Sequence, residues 1–175
     1  MMARKIEVVP YNPDWPRLYS AEAESIAAAL GGEMTAIHHI GSTAIPGIKA
    51  KPVLDFLVAV HRIERVDELN DSMIVLGYEP RGEYGIPGRR YFIKYTAGMR
   101  NHHVHIFQNG NPEITRHLNF RDYIRAHPDE AQAYSRLKEE LARQYPEDSH
   151  GYTEGKNEFV QEIDQRAKVW KNTQS

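Results

Sequence analysis

One carboxylate inside a strongly apolar segment constrains the fold of this chain more than any other feature. The segment Val53–Val60 reads VLDFLVAV, so Asp55 lies among Val, Leu and Phe residues. Such a run predicts a strand inside a covered sheet, where Asp is disfavoured and an unpaired carboxylate is costly. We therefore expect Asp55 either to pair with a basic residue, such as Lys51 or Arg90, or to face a pocket that holds a cation.

A turn of small residues precedes this strand. Gly41-Ser42 follows the strand candidate Met34–Ile40, and the loop Thr43–Ala50 leads towards Asp55. Main-chain N–H groups and a hydroxyl at such a turn can bind a phosphate, and an ordinary tight turn is the alternative. Its position just before the Asp55 strand makes the Gly-Ser dipeptide a candidate ligand-binding element.

A second group of polar side chains is the run His102-His103-Val104-His105. Strand alternation places His103 and His105 on one face and the other two residues on the opposite face. Two imidazoles on one face can share a divalent metal with a carboxylate from a neighbouring strand, and polar residues on an exposed edge are the alternative. The sequence predicts Asp55, His103 and His105 as metal ligands, with Mg²⁺, Mn²⁺ or Zn²⁺ as the ion.

Length and composition predict one globular domain over residues 1–175. The 175-residue chain is 41% hydrophobic and 26% charged, with a net charge of −2, which gives no electrostatic signature for nucleic acid. The absence of cysteine excludes disulfides, zinc–thiolate sites and cysteine nucleophiles. The N-terminus lacks a signal-peptide pattern and no apolar stretch approaches ~20 residues, so we expect a soluble cytoplasmic protein without a membrane association.

Hydrophobic periodicity and turn residues predict an α+β fold. Helices are expected at about 15–30, 63–76, 112–126, 129–144 and 153–170, and strands at 34–40, 53–60, 90–96 and 102–108. The last two strands are joined by Ala97–Arg100 as a hairpin, and Tyr78–Gly88 is expected to be a loop, with a short strand within it as the alternative. The prediction is a mixed sheet of four or five strands with flanking helices and a helical C-terminal section at about 112–170. In the pair His38-His39, one ring is expected to face the Asp55 site and the other to pack.

Two groups of residues in the C-terminal section are candidate phosphate contacts. Arg116, Arg121 and Arg125 follow a roughly helical spacing, for which a solvated helix face is the alternative. Tyr152 and Lys156 lie one turn apart on the last predicted helix and can point in the same direction, with ordinary surface residues as the alternative.

Several segments together resemble the GrpB family. They are VPYNPDWP at Val9–Pro16, IGSTAIPG at Ile40–Gly47, KPVLD at Lys51–Asp55, His103-Val104-His105 and HLNFRDY at His117–Tyr123, with Tyr134, Leu137-Lys138, Tyr152 and Lys156. The resemblance covers nearly the whole chain, from about Ile6 to Trp170, and the combination of motifs is highly specific.

The GrpB family is similar in fold to the nucleotidyltransferase superfamily related to DNA polymerase beta. That superfamily has a Gly-Ser turn, then about a dozen residues, then a strand with two carboxylates at alternate positions. Gly41-Ser42 and Asp55 match it, with twelve residues between the serine and the aspartate. Leu57 occupies the second carboxylate position, which departs from the pair that holds magnesium in the active enzymes. The strand that usually carries a third carboxylate would here carry His103 or His105. A histidine ligand shifts the metal preference from magnesium towards manganese, zinc or nickel.

The candidate residues and the resemblance together give three alternative functions. The first is metal-dependent transfer of a nucleoside monophosphate from a nucleoside triphosphate to a small acceptor, with Asp55 as the catalytic residue. The candidate substrate-binding residues are Gly41, Ser42, Lys51, Arg121 and Lys156. The second is a non-catalytic module that binds a nucleotide or a coenzyme A precursor, which Leu57 favours. The third is a metal-dependent phosphohydrolase. The implied partner is a nucleotide, with no nucleic acid, and fusion of some relatives to dephospho-CoA kinase implies a link to coenzyme A synthesis by association.

Overall fold

The computed structural model describes residues 5–174, which divide into two compact units. Residues 14–41 and 53–115 form the first, which we call the sheet unit. The second, the helical unit, contains described residues from 5–13, 42–52 and 116–174. This division into units does not test the prediction of one domain over residues 1–175, which stays a prediction.

A mixed five-stranded sheet forms the centre of the sheet unit. Its strands are β1 (Met34–Ile40), β2 (Leu54–Val60), β3 (Tyr78–Pro80), β4 (Arg90–Thr96) and β5 (Met99–Gln108). Their order across the sheet is β1-β2-β5-β4-β3. The pair β2–β5 is parallel and the other neighbouring pairs are antiparallel. The predicted α+β class, with a mixed sheet of four or five strands, is confirmed.

Strand β2 is covered on both faces, as its apolar sequence predicts. Phe56, Leu57 and Val58 are each 0% exposed, although successive residues of a strand point to opposite faces. Helix α1 (Trp15–Leu30) covers one of these faces, where the ring of Tyr19 packs 5.2 Å from that of Phe56. The other face of β2 carries Asp55.

The helix predicted over 63–76 is interrupted. The structure has a 3₁₀ helix at Ile63–Leu69, followed by the short α-helix α2 at Asn70–Val75. Ile63, Val66 and Leu69 are spaced by three residues, which matches the 3₁₀ repeat of three residues per turn better than the α-helical repeat. The spacing of these three apolar residues therefore favours the 3₁₀ helix that the structure contains.

The hairpin between β4 and β5 is tighter than predicted. Its turn consists of Ala97 and Gly98, with φ values of 53° and 78°. Two consecutive residues with positive φ form the turn type whose twist matches that of paired strands. Strand β5 therefore begins at Met99 rather than at His102, and Arg100 belongs to the strand instead of the loop.

Three helices make up most of the helical unit. They are α3 (Pro112–Ala126), whose first residues belong to the sheet unit, α4 (Pro128–Gln144) and α5 (Ser149–Thr173). Helix α5 begins earlier than predicted because the Asp148 carboxylate accepts a hydrogen bond of 3.0 Å from the Gly151 N–H and caps the helix. A helical C-terminal section is thus present as predicted. Within residues 5–174, none of the helices has the length and apolarity required to cross a membrane.

Candidate functional site

The parallel pairing of β2 with β5 brings together the residues predicted as metal ligands. Asp55 is the register partner of His103, and Leu57 is that of His105. His105 Nε2 lies 3.1 Å from Asp55 Oδ1, and His103 Nδ1 lies 3.5 Å from the same oxygen. Both imidazoles therefore contact the same carboxylate oxygen.

Two arginines contact the other nitrogens of these imidazoles. Arg100 Nε lies 3.0 Å from His103 Nε2, and Arg89 Nη1 lies 3.3 Å from His105 Nδ1. A guanidinium can donate hydrogen bonds but cannot accept them, so both of these imidazole nitrogens must be acceptors. A neutral imidazole with one accepting nitrogen carries its proton on the other, and the protonated nitrogens therefore point at Asp55.

The arginines are held in place from outside the cluster. Arg89 is 6% exposed, and its guanidinium donates to the main-chain oxygens of Glu83 and Tyr84. The same guanidinium lies 4.3 Å from the ring centroid of Tyr91, whose hydroxyl accepts a hydrogen bond of 3.3 Å from Arg100 Nη2. These contacts hold both guanidiniums beside the imidazoles of the Asp55 site, and neither the two arginines nor Tyr91 was predicted as part of the site.

The alternative in which Asp55 pairs with Arg90 is wrong. Arg90 instead binds Asp67 through two hydrogen bonds of 2.7 and 3.2 Å, because it lies on the opposite face of β4 from Tyr91. The other expected partner, Lys51, belongs to the helical unit. The ion-pair contacts of Asp55 in the sheet unit come from imidazoles.

Gly41 leaves no room for a side chain beside the Asp55 carboxylate. Its φ is +76°, and a Cβ added there would lie 2.4 Å from Asp55 Oδ2. The predicted ligand-binding glycine therefore serves to let the main chain pass close to the carboxylate. Ser42, its predicted partner, belongs to the helical unit and begins the 3₁₀ turn Ser42–Ala44.

The hydrogen-bond partners of Asp55 keep it ionised. Burial by itself would raise the pKa of this carboxyl, but the hydrogen bonds from His103 and His105 outweigh burial and lower the pKa well below its usual range. Asp55 is therefore an anion at any physiological pH. A carboxylate of such low basicity is a poor acceptor of a substrate proton, although it is a good acceptor of a hydrogen bond.

A divalent metal does not fit this arrangement. A metal bound beside Asp55 would need the lone pairs of the two imidazole nitrogens that now carry protons. Each ring would then have to place its proton on the nitrogen that faces a guanidinium donor. Across residues 5–174, no three His, Asp or Glu side chains are arranged as a group that could hold a metal ion. We derive no chemical step through a metal at Asp55.

A second candidate site lies in the helical unit and contains three lysines. The Nζ atoms of Lys51 and Lys156 lie 4.6 and 4.7 Å from the ring centroid of Tyr152, and Lys138 Nζ lies 4.5 Å from that of Tyr134. We call Lys51, Lys138 and Lys156 the lysine cluster. Tyr152 is 0% exposed, and its hydroxyl is without a hydrogen-bond partner in the part of the chain that the structure describes.

Lys138 is the buried member of this cluster. It is 1% exposed, and its Nζ donates a hydrogen bond of 2.6 Å to the main-chain oxygen of Lys49. Burial, followed by the charges of Lys156 and Lys51, lowers the pKa of Lys138 to about 7. The sequence contained a signal for this residue, since Lys138 falls in the same buried stripe of α4 as Tyr134 and Leu141.

The predicted arginines of α3 have partners within the helical unit. Arg116 pairs with Asp164 at 3.1 Å and Arg121 with Asp122 at 2.9 Å. Arg125 Nε donates a hydrogen bond of 2.9 Å to the Ala44 carbonyl. Arg121 as a phosphate contact stays a prediction, and its neighbouring carboxylate reduces the charge that it can offer.

Comparison with known proteins identifies the family. Residues 5–166 match the family described as GrpB protein. This chain belongs to the GrpB family. It is 47% identical over 168 residues to the UPF0157 protein YqkA of Bacillus subtilis, covering 96% of this chain and 49% of YqkA. It is 34% identical over 163 residues to the glutamate-rich protein GrpB of Alkalihalophilus pseudofirmus, covering 91% of this chain and 94% of that protein. The predicted resemblance is confirmed.

A solved GrpB structure has the same fold. The crystal structure of the conserved protein GrpB from Enterococcus faecalis superposes with a TM-score of 0.89 at 41% identity, over 94% of this chain and 99% of that chain. The GrpB chain described here spans about half the length of YqkA. It also aligns at 27% identity with dephospho-CoA kinase of Mycolicibacterium paratuberculosis, over 94% of this chain and 46% of that protein. The Cid1 poly(U) polymerase aligns at 8% identity with a TM-score of 0.46, which supports no conclusion about function.

Proposed function

We propose that this GrpB-family protein binds a phosphate-bearing small molecule, either a nucleotide or a coenzyme A precursor, through the lysine cluster. The observation that supports the proposal is the convergence of two ammonium groups on the ring of Tyr152, with Lys138 close enough for both to lower its pKa. Like charges held this close repel one another, and a phosphate among them would offset that repulsion.

The hydroxyl of Tyr152 supports the same ligand class. A buried hydroxyl without a partner costs about 1–3 kcal/mol, so native proteins rarely leave one unless another molecule completes it. A phosphate oxygen can accept from this hydroxyl and from a lysine ammonium at once. The proposal retains Lys51, Tyr152 and Lys156, which the sequence analysis named as candidates, and adds Lys138.

The choice of a nucleotide or coenzyme A precursor rests on the relatives. One aligned protein is named dephospho-CoA kinase, and the alignment covers less than half of it. Its name supports compounds such as dephospho-CoA as first candidates for the ligand. The predicted nucleotide partner remains a candidate of the same chemical class, because both carry phosphates that ammonium groups bind.

Binding is favoured over the two metal-dependent reactions. Nucleotidyl transfer and phosphoester hydrolysis were predicted with a metal on Asp55, and its imidazole neighbours face guanidinium donors. Leu57, at the second carboxylate position, is 0% exposed and leaves no second acid on that strand. Both features favour the non-catalytic alternative.

Thermal unfolding with candidate ligands tests the proposal. We expect ATP or dephospho-CoA to raise the unfolding temperature without added metal, since a ligand at a hundredfold excess over its dissociation constant stabilises by ~2.7 kcal/mol. Lys156→Met is expected to weaken binding about tenfold, which corresponds to ~1.4 kcal/mol. Lys168, an exposed lysine of the same helix, provides the control. Equal weakening in Lys168→Met, or no shift with any phosphate-bearing compound, would exclude the lysine cluster as the site.

A pyrophosphate assay separates binding from nucleotidyl transfer. With a nucleoside triphosphate and Mg²⁺, Mn²⁺ or Zn²⁺, we expect release no faster than in the absence of protein. Asp55→Asn, which keeps the shape of the side chain but removes its charge, should give the same background. Release that requires metal and disappears in Asp55→Asn would establish the transferase function instead.

A further inference from the structure

The hydrogen bonds around Asp55 form one continuous chain. It runs from Arg100 through His103 to Asp55, and from Asp55 through His105 to Arg89. We call these five residues the Asp55 network. Its evidence is independent of the lysine cluster, so the inference below stands whether or not the protein binds a phosphate.

The two imidazoles must adopt opposite tautomers. His103 accepts from Arg100 at Nε2 and therefore carries its proton on Nδ1. His105 faces Arg89 with Nδ1 and therefore carries its proton on Nε2. In each ring, the guanidinium and the carboxylate require the same tautomer, because the guanidinium can only donate and the ionised carboxylate can only accept.

We propose that Arg89 and Arg100 are positioning residues that keep divalent metal ions off Asp55 by locking His103 and His105 in tautomers whose N–H groups point at the carboxylate. This assigns the guanidiniums a role in ligand selectivity. In metal sites the outer nitrogen of a ligating imidazole usually donates to an acceptor, which leaves the inner lone pair for the metal. Here the outer partner is a donor, so in each ring the proton lies on the inner nitrogen and no lone pair faces Asp55.

Charge acts in the same direction. The network contains two guanidinium charges and one carboxylate charge. A divalent cation at Asp55 would approach an assembly whose net charge is already positive. Arg89 is 6% exposed and held by two main-chain oxygens, so it cannot move aside without breaking those hydrogen bonds.

Long-range ¹H–¹⁵N spectra of the imidazoles test the tautomers in the wild-type protein. We expect His103 to show a protonated Nδ1 and His105 a protonated Nε2 near neutral pH. His103→Gln and His105→Gln assign the signals, because each variant loses one set. The same tautomer in both rings, or two cationic rings, would overturn the inference.

Removal of one guanidinium should create a metal site. We expect Arg100→Met to bind Zn²⁺ or Ni²⁺ about 10–100-fold more tightly than the wild type, the range typical of outer-sphere partners. The gain should disappear in the double variant with His103→Gln. Arg90→Met, which removes a guanidinium bound to Asp67 instead, provides the control.

Two results of the metal titration would overturn the inference. One is Zn²⁺ or Ni²⁺ binding to the wild type with shifts of the His103 and His105 signals. The other is an Arg100→Met protein that folds, as judged by its circular dichroism, and still binds no metal. Because the probe is the metal alone, neither result depends on whether ATP or dephospho-CoA binds to the lysine cluster.

Discussion

Replacement of Gly41 by alanine is expected to lower the free energy of unfolding by about 3 kcal/mol. Two costs add at this position. A residue other than glycine at a φ of +76° costs ~1–2 kcal/mol, and the added Cβ would lie 2.4 Å from Asp55 Oδ2 and 3.0 Å from its Cγ. The carboxylate must move to relieve the contact, which weakens its hydrogen bonds to the imidazoles.

Gly98→Ala separates these two costs. Gly98 belongs to the same unit and has a φ of +78°, but an added Cβ there would meet no heavy atom within 4 Å. Urea denaturation of both variants should therefore show a smaller loss for Gly98→Ala, from backbone strain alone. Equal losses would mean that the contact with Asp55 contributes nothing, and that the carboxylate is free to shift.

Replacement of Lys138 by methionine is expected to stabilise the protein by about 2 kcal/mol at pH 7. Methionine retains the apolar stem while removing a buried charge whose pKa is lowered to about 7, mainly by burial. The gain is reduced by the loss of the hydrogen bond to the Lys49 carbonyl. If Lys138 belongs to the ligand site, the same variant should lose the stabilisation by ATP or dephospho-CoA.

The pH dependence of stability gives a second readout for Lys138. Below pH 7 the lysine is charged in both states, and the folded state bears the full cost of burying the charge. As the pH rises from about 7 towards ~10.4, the folded state releases its proton before the unfolded state does, so this group makes the wild type more stable. Lys138→Met should lack this rise in urea denaturation across that range. Parallel curves for the two proteins would contradict the buried-charge account.

The sequence was sufficient to place the centre of the Asp55 site. Alternation along β5 puts His103 and His105 on one face, and the apolar run of β2 marks a covered strand with one carboxylate. The sequence could not say which ring of His38-His39 packs. In the structure His39 stacks on Tyr19 at 4.6 Å, whereas His38 pairs with Leu57 on the Asp55 face.

The surroundings of Asp55 were beyond prediction because of one irregularity in the sheet. Counted from the pair Thr96 and Met99, a regular hairpin would place Tyr91 opposite Val104. A register shift between Lys94 and Tyr95 places Tyr91 opposite His105 instead. Such a shift reverses the face of every following residue, and no residue type in the segment announces it.

Lys138 escaped prediction for a different reason. The sequence predicted a helix over 129–144 without a buried face, and Lys138 entered only through the resemblance to the GrpB family, without a role. Its long stem packs as an apolar side chain would, while its ammonium reaches the Lys49 carbonyl. A search for charged residues at core positions would have selected it.

Because β2 and β5 are far apart in sequence, we expect their parallel pairing, and with it this site, to form late in folding. The β4–β5 hairpin closes through two residues and can form within ~1–10 μs, whereas β2 has to reach β5 across α2, β3 and β4. Until then, one edge of the apolar β2 strand is open to pairing with other chains. Docking one residue out of register would turn His103 and His105 towards the α1 face. Asp55 can therefore meet both imidazoles only when β2 and β5 pair in the correct register. A chain that stalls before this pairing is exposed to aggregation.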